Sequence, residues 1–316
     1  MRTTCLDLVY ELARKDQRIF FIGSDLGVGT LKKFKNEMPE RFFMEGISEA
    51  HVIGMAAGLA LEGKIVYVNT IATFITRRCF EQVVLDLCLH NVNVRLIGNG
   101  GGLVYAPLGP THLAIEDIAI FRAIPRMTII APADAEEMKR LMPMTVDYPG
   151  PMYLRLAKGG DPVVTDPNVP FVIGKVFPMR EGKDALIVTT GVMLKPSLEA
   201  AAALATNGIE TSILHAPTIK PLDVETILHY VDRVPVIVTI EEHTLTGGIG
   251  SALAELIAEA NFATPKRFKR LGIPDVFPDK YGSQATLMEY YNLTSARLEM
   301  VVTQLSRPPI GSETQY

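Results

Sequence analysis

GISEAHVIGMAAGLALEGKIVYV, residues Gly46–Val68, joins an apolar helix to a β-strand and sets one acidic residue, Glu49, at the start of that helix. Small and apolar residues recur from Ile53 to Leu61, which predicts that most of the helix surface is buried. A carboxylate at this position lies near the positive end of the helix dipole and is partly desolvated. The segment alone leaves two interpretations of Glu49 open, a carboxylate that only stabilises the helix end and a functional group.

Outward from this segment, helices alternate with short apolar strands, which is the pattern of a parallel sheet covered by helices on both faces. The sequence predicts strands at Ile19–Ile22, Ile65–Val68, Val94–Ile97, Met127–Ile130 and Met152–Leu156. It predicts helices at Thr3–Arg14, Ser48–Leu61, Arg77–His90 and Ala133–Met142.

A segment rich in Gly, Pro and Asp, Lys158–Pro170, is typical of a linker and precedes a second α/β unit. Its predicted strands are Ala185–Thr189, Thr211–Leu214, Val234–Thr239 and Pro265–Leu271. Its predicted helices are Lys195–Ala205, Asp223–Val231, Gly248–Ala260 and Ser295–Leu305. We therefore predict two doubly wound α/β domains in series, residues 1–160 and 184–306, with a linker at 161–183 and a disordered tail at 307–316.

The composition indicates a globular protein and argues against several functional classes. Of the 316 residues, 48% are hydrophobic and 21% are charged, and the net charge of -4 gives no reason to expect a nucleic-acid partner. Cys5, Cys79 and Cys88 form no CxxC pair, so we expect a reducing compartment and no metal site. No apolar run approaches the roughly 20 residues that span a membrane. We expect a cytoplasmic protein without a membrane partner.

Four segments follow predicted strands of the first domain, at the sheet edge where ligands bind in open parallel sheets. They are Gly23–Gly29, Asn69–Arg78, Gly98–His112 and Ala131–Asp134. The third is long, rich in glycine and without periodicity, and loops of that kind in compact domains are usually functional. Each feature also has a purely structural explanation: Gly100–Gly102 as a tight turn, His112 as a helix cap and Phe74 as a core aromatic. Their common placement at one sheet edge favours a site.

Several motifs resemble the transketolase family of thiamine-diphosphate enzymes, over roughly residues 1–305 and in the order found in that family. They are GISEAHVIGMAAGLA from Gly46, RRCFEQVVLD (Arg77–Asp86), GPTHLAIEDIAIFRAIPRMTIIAPAD (Gly109–Asp134), HAPTIKPLD (His215–Asp223) and TIEEHTLTGGIGSALAE (Thr239–Glu255). The resemblance implies a pyrimidine-binding domain followed by a transketolase C-terminal domain. In the latter we interpret Glu241, Glu242 and His243 as interface or structural groups.

The resemblance also implies roles for individual residues in binding the cofactor. Glu49 matches the glutamate that hydrogen-bonds to a ring nitrogen of the aminopyrimidine, and a desolvated carboxyl group would strengthen that bond. Phe74 would stack on the same ring. Counting back from Gln82 instead puts Ile75 at that position, and only Phe74 has an aromatic face. Asp25 and Arg78 complete the expected cofactor contacts.

For the substrate, the resemblance implies a different set of residues. His112 would contact substrate hydroxyls and assist proton transfer, and Arg2 and Lys158 would bind a phosphate. Two positions depart from the family pattern. Family members usually have a basic residue near the position of Gly100, and an acidic residue at the position of Leu108. Because polar contacts decide between substrates, we expect transfer of a two-carbon ketol unit, with a modified or unphosphorylated sugar as a hypothesis for the substrate.

The sequence contains no GDG motif with a downstream Asn, which the family uses to bind the diphosphate and Mg²⁺. We therefore expect the C-terminal half of a split transketolase, active with a partner subunit that supplies this part, in an α2β2 assembly that includes self-dimerisation. Two alternatives stay open. One is a subunit like 1-deoxyxylulose-5-phosphate synthase or a 2-oxo-acid dehydrogenase β subunit, and the other is a non-catalytic subunit.

Overall fold

A computed structural model of the protein describes residues 1–24, 29 and 31–307. The strands are β1 Ile19–Gly23, β2 Phe42–Met44, β3 Ile65–Ile71, β4 Val94–Asn99, β5 Thr128–Ile130, β6 Met152–Leu156, β7 Phe177–Arg180, β8 Ala185–Thr189, β9 Thr211–His215, β10 Thr218–Lys220, β11 Val236–Thr244 and β12 Arg267–Ile273. The helices are α1 Arg2–Lys15, α2 Lys32–Glu37, α3 Glu49–Leu61, α4 Ala72–Arg77, α5 Phe80–Gln82, α6 Asp117–Arg122, α7 Ala135–Met144, α8 Leu194–Thr206, α9 Val224–Asp232, α10 Ile249–Glu259, α11 Gln284–Tyr290 and α12 Ser295–Ser306. A π-helix spans Val83–Leu89, and 3₁₀ turns lie at Pro39–Arg41, Ala106–Leu108 and Gly191–Met193.

The strands form two sheets, one in each α/β domain. In the described residues the first sheet has seven strands in the order β10-β5-β6-β4-β3-β1-β2, and the second has five in the order β12-β11-β8-β9-β7. All pairs are parallel except β10 with β5 and β7 with β9. The central strands β3, β4, β6 and β8 are buried along their whole length, as expected for parallel strands covered on both faces.

The two domains share the first sheet, because β10 comes from the second half of the chain and pairs with β5 at the sheet edge. Two apolar cores cover the faces of this sheet, and two more cover the second sheet. Within the part of the chain that the structure describes, no helix has the length and apolar character needed to cross a membrane.

Several predicted elements differ from the structure. The prediction of a single helix at Arg77–His90 is wrong. α4 begins at Ala72 and ends at Arg77, and the short helix α5 is followed directly by the π-helix. The short elements β2, α2, α6, β10 and α11 did not give a sequence signal of their own. The predicted linker, 161–183, contains the edge strand β7. The predicted tail, 307–316, lies outside the described residues beyond Arg307.

Candidate active site

Glu49 is the first residue of α3, and its side chain is buried, with 6% of its surface exposed. Its carboxylate oxygens accept two hydrogen bonds from Nη1 of Arg78, at 3.2 and 3.3 Å. None of the hydrogen bonds of the described residues joins this carboxylate to a backbone N–H of α3, so Glu49 does not cap its own helix. A carboxylate held at a helix N-terminus and in little contact with water is available to a ligand as a hydrogen-bond partner.

Phe74 lies on α4, the helix that follows β3, and Arg78 is the residue directly after the end of that helix. They are four residues apart, so both side chains are on one helix face, and the Arg78 Cζ lies 3.7 Å from the centre of the Phe74 ring. Phe74 is half-buried, whereas Ile75 is fully buried in the core between α3 and the sheet. Phe74 reaches Glu49 through the guanidinium of Arg78, which contacts both side chains. Ile75 shares a small cavity with Glu49, so the choice between the two positions stays a prediction.

His112 completes this group, which we name the Glu49 cluster: Glu49, Phe74, Arg78 and His112. The His112 ring lies edge-on to Phe74, with 5.1 Å between the ring centres. Its Nδ1 is 2.9 Å from Oγ1 of Thr111. Its Nε2 makes no hydrogen bond within the described residues, so that nitrogen can reach a ligand.

Buried polar residues that the sequence did not single out lie at the ends of the neighbouring strands. Ser24, Asn69 and Thr70 line a small cavity together with Glu49 and apolar side chains of α3, β3 and α4, among them Ile75. Ser24 donates a hydrogen bond of 2.8 Å to Oγ1 of Thr70, and Asn99 donates one of 2.6 Å to Asn69. Their positions at the ends of β1, β3 and β4 are the signal that could have identified them, because the carboxyl ends of parallel strands meet at one edge.

The loop between β4 and His112 packs closely because of three consecutive glycines. A Cβ on Gly100 would overlap the Tyr105 ring, and one on Gly102 would overlap the Glu242 carboxylate. A Cβ on Gly101 would lie 2.6 Å from Cγ of Arg155. Gly100 and Gly102 also have φ of +75° and +70°, where side chains other than hydrogen are strained.

The other expected substrate residues lie at the same sheet edge without contacting the Glu49 cluster in the described hydrogen bonds or ion pairs. Arg2 is half-buried at the start of α1, and Lys158 is exposed two residues after β6. The backbone nitrogen of Met1 lies 3.7 Å from a Cβ placed on Gly159, so Arg2 and Lys158 are on neighbouring segments. Leu108 is 49% exposed in the loop. Asp25 lies outside the described residues.

A buried polar network fastens this loop to the C-terminal domain. Oε1 of Glu242 accepts hydrogen bonds from the backbone N–H of Leu103, at 2.7 Å, and from Gln284, at 2.9 Å. Arg155 donates to the Glu242 carbonyl oxygen, at 2.9 Å, and pairs with Asp117. Burial raises the pKa of Glu242 above its ordinary value, and the positive charge of Arg155 offsets this only in part.

The two neighbours of Glu242 have structural contacts as well. Glu241 accepts hydrogen bonds from the backbone N–H groups of Ile249 and Gly250, at 2.8 and 2.9 Å, and so holds the start of α10. His243 accepts a 3.3 Å hydrogen bond from the backbone N–H of Ala119 in the first domain. These contacts agree with our interpretation of the three residues as interface or structural groups.

The acidic and histidine side chains of the described residues do not form a metal centre. No group of three or more His, Cys, Asp or Glu residues in that part of the chain is arranged to hold a metal ion. The site consists of a buried carboxylate, an aromatic face, a guanidinium and an imidazole, a set suited to a flat nitrogen-containing ring and a polar substrate.

Comparison with known proteins finds relatives over nearly the whole chain. Residues 1–160 match the family model described as transketolase, pyrimidine binding domain, and residues 174–298 match transketolase, C-terminal domain. The chain is 36% identical to the 6-deoxy-6-sulfo-D-fructose transketolase subunit SqwH of Clostridium sp. (strain MSTE9), over 94% of this chain and 92% of that protein. It is 37% identical to an apulose-4-phosphate transketolase subunit of Phocaeicola vulgatus, over 87% of each.

A solved structure agrees with these matches. The structure of a split-gene transketolase, described as an inactive β4 tetramer, has a TM-score of 0.88 and 34% identity over 97% of this chain and 99% of that one. The two matched domain models follow each other in the order of the two sheets. The chain therefore belongs to the transketolase family and consists of a pyrimidine-binding domain followed by a transketolase C-terminal domain.

Proposed function

We propose that this chain is the C-terminal, catalytic subunit of a split transketolase. It transfers a two-carbon ketol unit from a ketose or ketose phosphate to an aldose acceptor, with thiamine diphosphate as cofactor. The observation that carries this proposal is the Glu49 cluster, in which the buried Glu49 and the ring of Phe74 contact the same guanidinium and His112 lies at the ring edge.

The residues of this cluster fit the aminopyrimidine half of the cofactor. The Glu49 carboxyl group would hydrogen-bond to a ring nitrogen, and the face of Phe74 would stack on the ring. Asp25, which the resemblance also assigns to the cofactor, lies outside the described residues. When bound, thiamine diphosphate supplies the carbanion chemistry of the transfer, and the protein supplies position and electrostatics.

The residues of this chain then have separate tasks. Glu49 orients the ring and holds a proton between its carboxyl oxygen and the ring nitrogen. His112, whose Nδ1 contacts Thr111, presents Nε2 to a substrate hydroxyl and moves a proton there. Arg2 and Lys158, on neighbouring segments at the sheet edge, would bind an anionic group at the far end of the substrate. Lys158 offers a charge without the bidentate geometry of an arginine.

A partner chain would complete the site by binding the diphosphate and supplying most contacts of Mg²⁺, in an α2β2 assembly. The names of the split relatives and the inactive β4 tetramer support a division of the enzyme between two chains. The outer face of α3 supports it too, because Ile47 and Leu61 at its two ends are 70% and 61% exposed and Gly54 and Gly58 between them face outward. An apolar helix with an open face of this kind is normally covered.

The substrates proposed are sugars that differ from the common pentose phosphates. Gly100 has no side chain that could contact a phosphate, and the ring of Tyr105 fills the space where such a side chain would begin. The side chain of Leu108 is exposed and offers no hydrogen bond. The two split relatives are named for a sulfo-sugar and for apulose 4-phosphate. A panel of donors and acceptors tests this. Highest kcat/KM with xylulose 5-phosphate and ribose 5-phosphate would contradict it.

The catalytic role is tested with Glu49→Gln in the enzyme reconstituted with an N-terminal transketolase subunit, thiamine diphosphate and Mg²⁺. We expect kcat to fall by about 10²–10⁴-fold, the range for loss of a general acid-base group, with the melting temperature nearly unchanged. Glu62→Gln, at the exposed opposite end of α3, is the matched control and should keep full activity. Full activity of Glu49→Gln would remove Glu49 from the mechanism.

The same reconstituted enzyme separates the alternatives. A subunit like 1-deoxyxylulose-5-phosphate synthase or a 2-oxo-acid dehydrogenase would release CO₂ from pyruvate, which a transketolase does not use. A non-catalytic subunit would show no Glu49-dependent turnover with any donor. The edge-on contact of His112 with Phe74, and the contact of Arg78 with both Phe74 and Glu49, favour the catalytic interpretation over this last alternative.

We also propose a cytoplasmic location. The three cysteines Cys5, Cys79 and Cys88 are free thiols and all are buried. Burial raises the pKa of the Cys79 thiol to about 12, with a contribution from Glu49, so this thiol beside the site stays protonated and unreactive. Immunolocalisation of the tagged chain in the source cell tests the location.

A further inference from the structure

Arg78 links two elements of the site that are distant in the chain. Its guanidinium stacks on Phe74 of its own helix, with 3.7 Å from Cζ to the ring centre, and hydrogen-bonds to both oxygens of Glu49 on α3. The contact with Phe74 is expected from the four-residue spacing of helical residues. The hydrogen bonds to Glu49 are not expected from local spacing, because Glu49 belongs to another helix, α3. Together the two contacts hold the guanidinium between an aromatic face and a buried carboxylate.

This position has the chemical properties of the aminopyrimidine site. A guanidinium is flat, donates hydrogen bonds in its plane and stacks on aromatic rings. An aminopyrimidine held by Glu49 and Phe74 would make the same two contacts, a hydrogen bond in its plane and a stack on its face. With its Cζ 3.7 Å from the ring centre, the guanidinium is in direct contact with one face of Phe74, so an aminopyrimidine cannot lie against that same face at the same time.

We propose that Arg78 occupies the aminopyrimidine position in the chain without cofactor, and that its guanidinium leaves when the cofactor binds, so that Arg78 sets cofactor affinity. This inference rests on the proposed function, because it takes the Glu49 cluster to be the cofactor site. It also reverses the expectation from the sequence, in which Arg78 is a cofactor-binding residue. If Arg78 competes with the cofactor, removing Arg78 strengthens cofactor binding; if Arg78 binds the cofactor, removing it weakens that binding.

The contacts of Arg78 allow such a movement. Its side chain is 43% exposed, so the guanidinium borders solvent. Within the described residues its guanidinium has no hydrogen-bond partner other than Glu49. Its neighbour Arg77 is held differently, by Glu116 and by the carbonyl oxygen of Leu113 at 3.0 Å. Arg78 follows the last residue of α4, where the helix ends, and moving its side chain breaks no helical hydrogen bond.

The test measures binding of thiamine to the isolated full-length chain by titration calorimetry. Thiamine carries the aminopyrimidine but no diphosphate, so its binding does not depend on a diphosphate site in another chain. We compare wild type with Arg78→Ala and Arg78→Lys. The matched control is Arg14→Ala, because Arg14 also lies over an aromatic ring, Tyr10, and beside a glutamate, Glu11, but on α1.

We expect Arg78→Ala to lower the Kd for thiamine by roughly 3- to 10-fold, the effect of removing a partly exposed cation–π contact and ion pair that compete with the ligand. Arg78→Lys, which keeps the charge but not the flat group, should be intermediate, and Arg14→Ala should match wild type. Phe74→Ala should weaken binding, which identifies the site.

An unchanged or higher Kd in Arg78→Ala overturns the inference, and so does the absence of binding in wild type and Arg78→Ala alike, because the variant should expose the position. These results are distinct from failure of the proposed function, which is decided by Glu49→Gln in the reconstituted enzyme. Loss of turnover there with an unchanged thiamine Kd in Arg78→Ala would keep the function and remove the role of Arg78.

Discussion

The guanidinium of Arg155 and the carboxylate of Asp117 lie 2.8 Å apart, and both are buried where the two domains meet. The same Asp117 oxygen accepts a 2.7 Å hydrogen bond from the hydroxyl of Tyr153. Arg155 also donates to the carbonyl oxygens of Ala114 and Glu242, so a single side chain joins β6, the loop before α6 and β11. A buried charge with this many partners stabilises the junction only while all of them are present.

Asp117→Asn should therefore destabilise the protein strongly. It leaves the Arg155 guanidinium buried without its counter-charge, which typically costs about 3–5 kcal/mol. Urea unfolding of the full chain measures the loss. The control is Asp16→Asn, which breaks an exposed pair with Arg18 and should cost less than about 1 kcal/mol. Equal midpoints for the two variants would show that the buried pair does not hold the junction.

Gly102→Ala should disturb the loop more than its backbone angle alone requires. Its φ of +70° strains any side chain, by roughly 1–2 kcal/mol, and its Cβ would also overlap the Glu242 carboxylate. Gly63→Ala is the matched control, because Gly63 has a φ of +78° and no atom within 4 Å of an added Cβ. We expect faster hydrogen exchange at 98–112 in Gly102→Ala only. The same exchange in both variants would assign the effect to backbone strain.

Glu242 should make the domain junction sensitive to pH. Burial raises its pKa above the ordinary value of 4.5, so the folded protein favours the protonated carboxyl group. The stability from this group is fully present below pH 4.5 and is lost as the pH rises through the raised pKa. Oε1 accepts both hydrogen bonds, from Leu103 and Gln284, and the amide oxygen of glutamine can do the same.

Glu242→Gln should therefore gain stability relative to wild type as the pH rises above 4.5, and the gain should level off above the raised pKa. Unfolding midpoints of both proteins, measured from about pH 4 upward through neutral pH, follow this difference. Glu199→Gln, on the exposed side of α8, serves as the control and should show no such trend. A parallel pH dependence in wild type and Glu242→Gln would contradict the argument.

Local sequence pattern was enough for most of the regular elements and for the site edge. Strands β6 and β8 begin and end where the sequence predicts, because strands buried on both faces are rich in apolar residues, and the one charged residue of β6, Arg155, is paired with Asp117. Phe74 and His112 lie in two segments that follow predicted strands, and parallel topology brings such positions together. The contact between these two rings agrees with this rule. Glu49 instead begins the helix before β3 and reaches the same edge through Arg78, and the chemical roles of all these residues stay predictions.

Contacts between distant segments could not be predicted in this way. Glu242 and Leu103 are 139 positions apart, and nothing local in either segment indicates their hydrogen bond. The edge strand β10 has only three residues and depends on pairing with β5 of the other domain. The helix predicted at Arg77–His90 failed because α4 ends at Arg77, a short α5 follows at Phe80–Gln82, and a π-helix continues from Val83 to Leu89. Nothing in the local sequence indicates these changes, and the choice between Phe74 and Ile75 stays a prediction.

His112 provides the sharpest test of how the site treats its substrate. Thr111 contacts its Nδ1 at 2.9 Å and Phe74 lies at its ring edge, so the nitrogen left for a ligand is Nε2. In the reconstituted enzyme, His112→Asn should lower kcat/KM by about 10²–10⁴-fold, because proton transfer by a positioned side chain contributes that much. Thiamine binding to the isolated chain should change little, since Glu49 and Phe74 remain.

Thr111→Val separates the orientation of His112 from its chemistry. It removes the contact to Nδ1 and leaves the imidazole in place, so we expect a smaller loss than in His112→Asn, carried mainly by kcat. A loss confined to KM in both variants would instead assign His112 to ground-state binding of a substrate hydroxyl. Loss of thiamine binding in His112→Asn would contradict the division of the site into a cofactor part, Glu49 and Phe74, and a substrate part, His112.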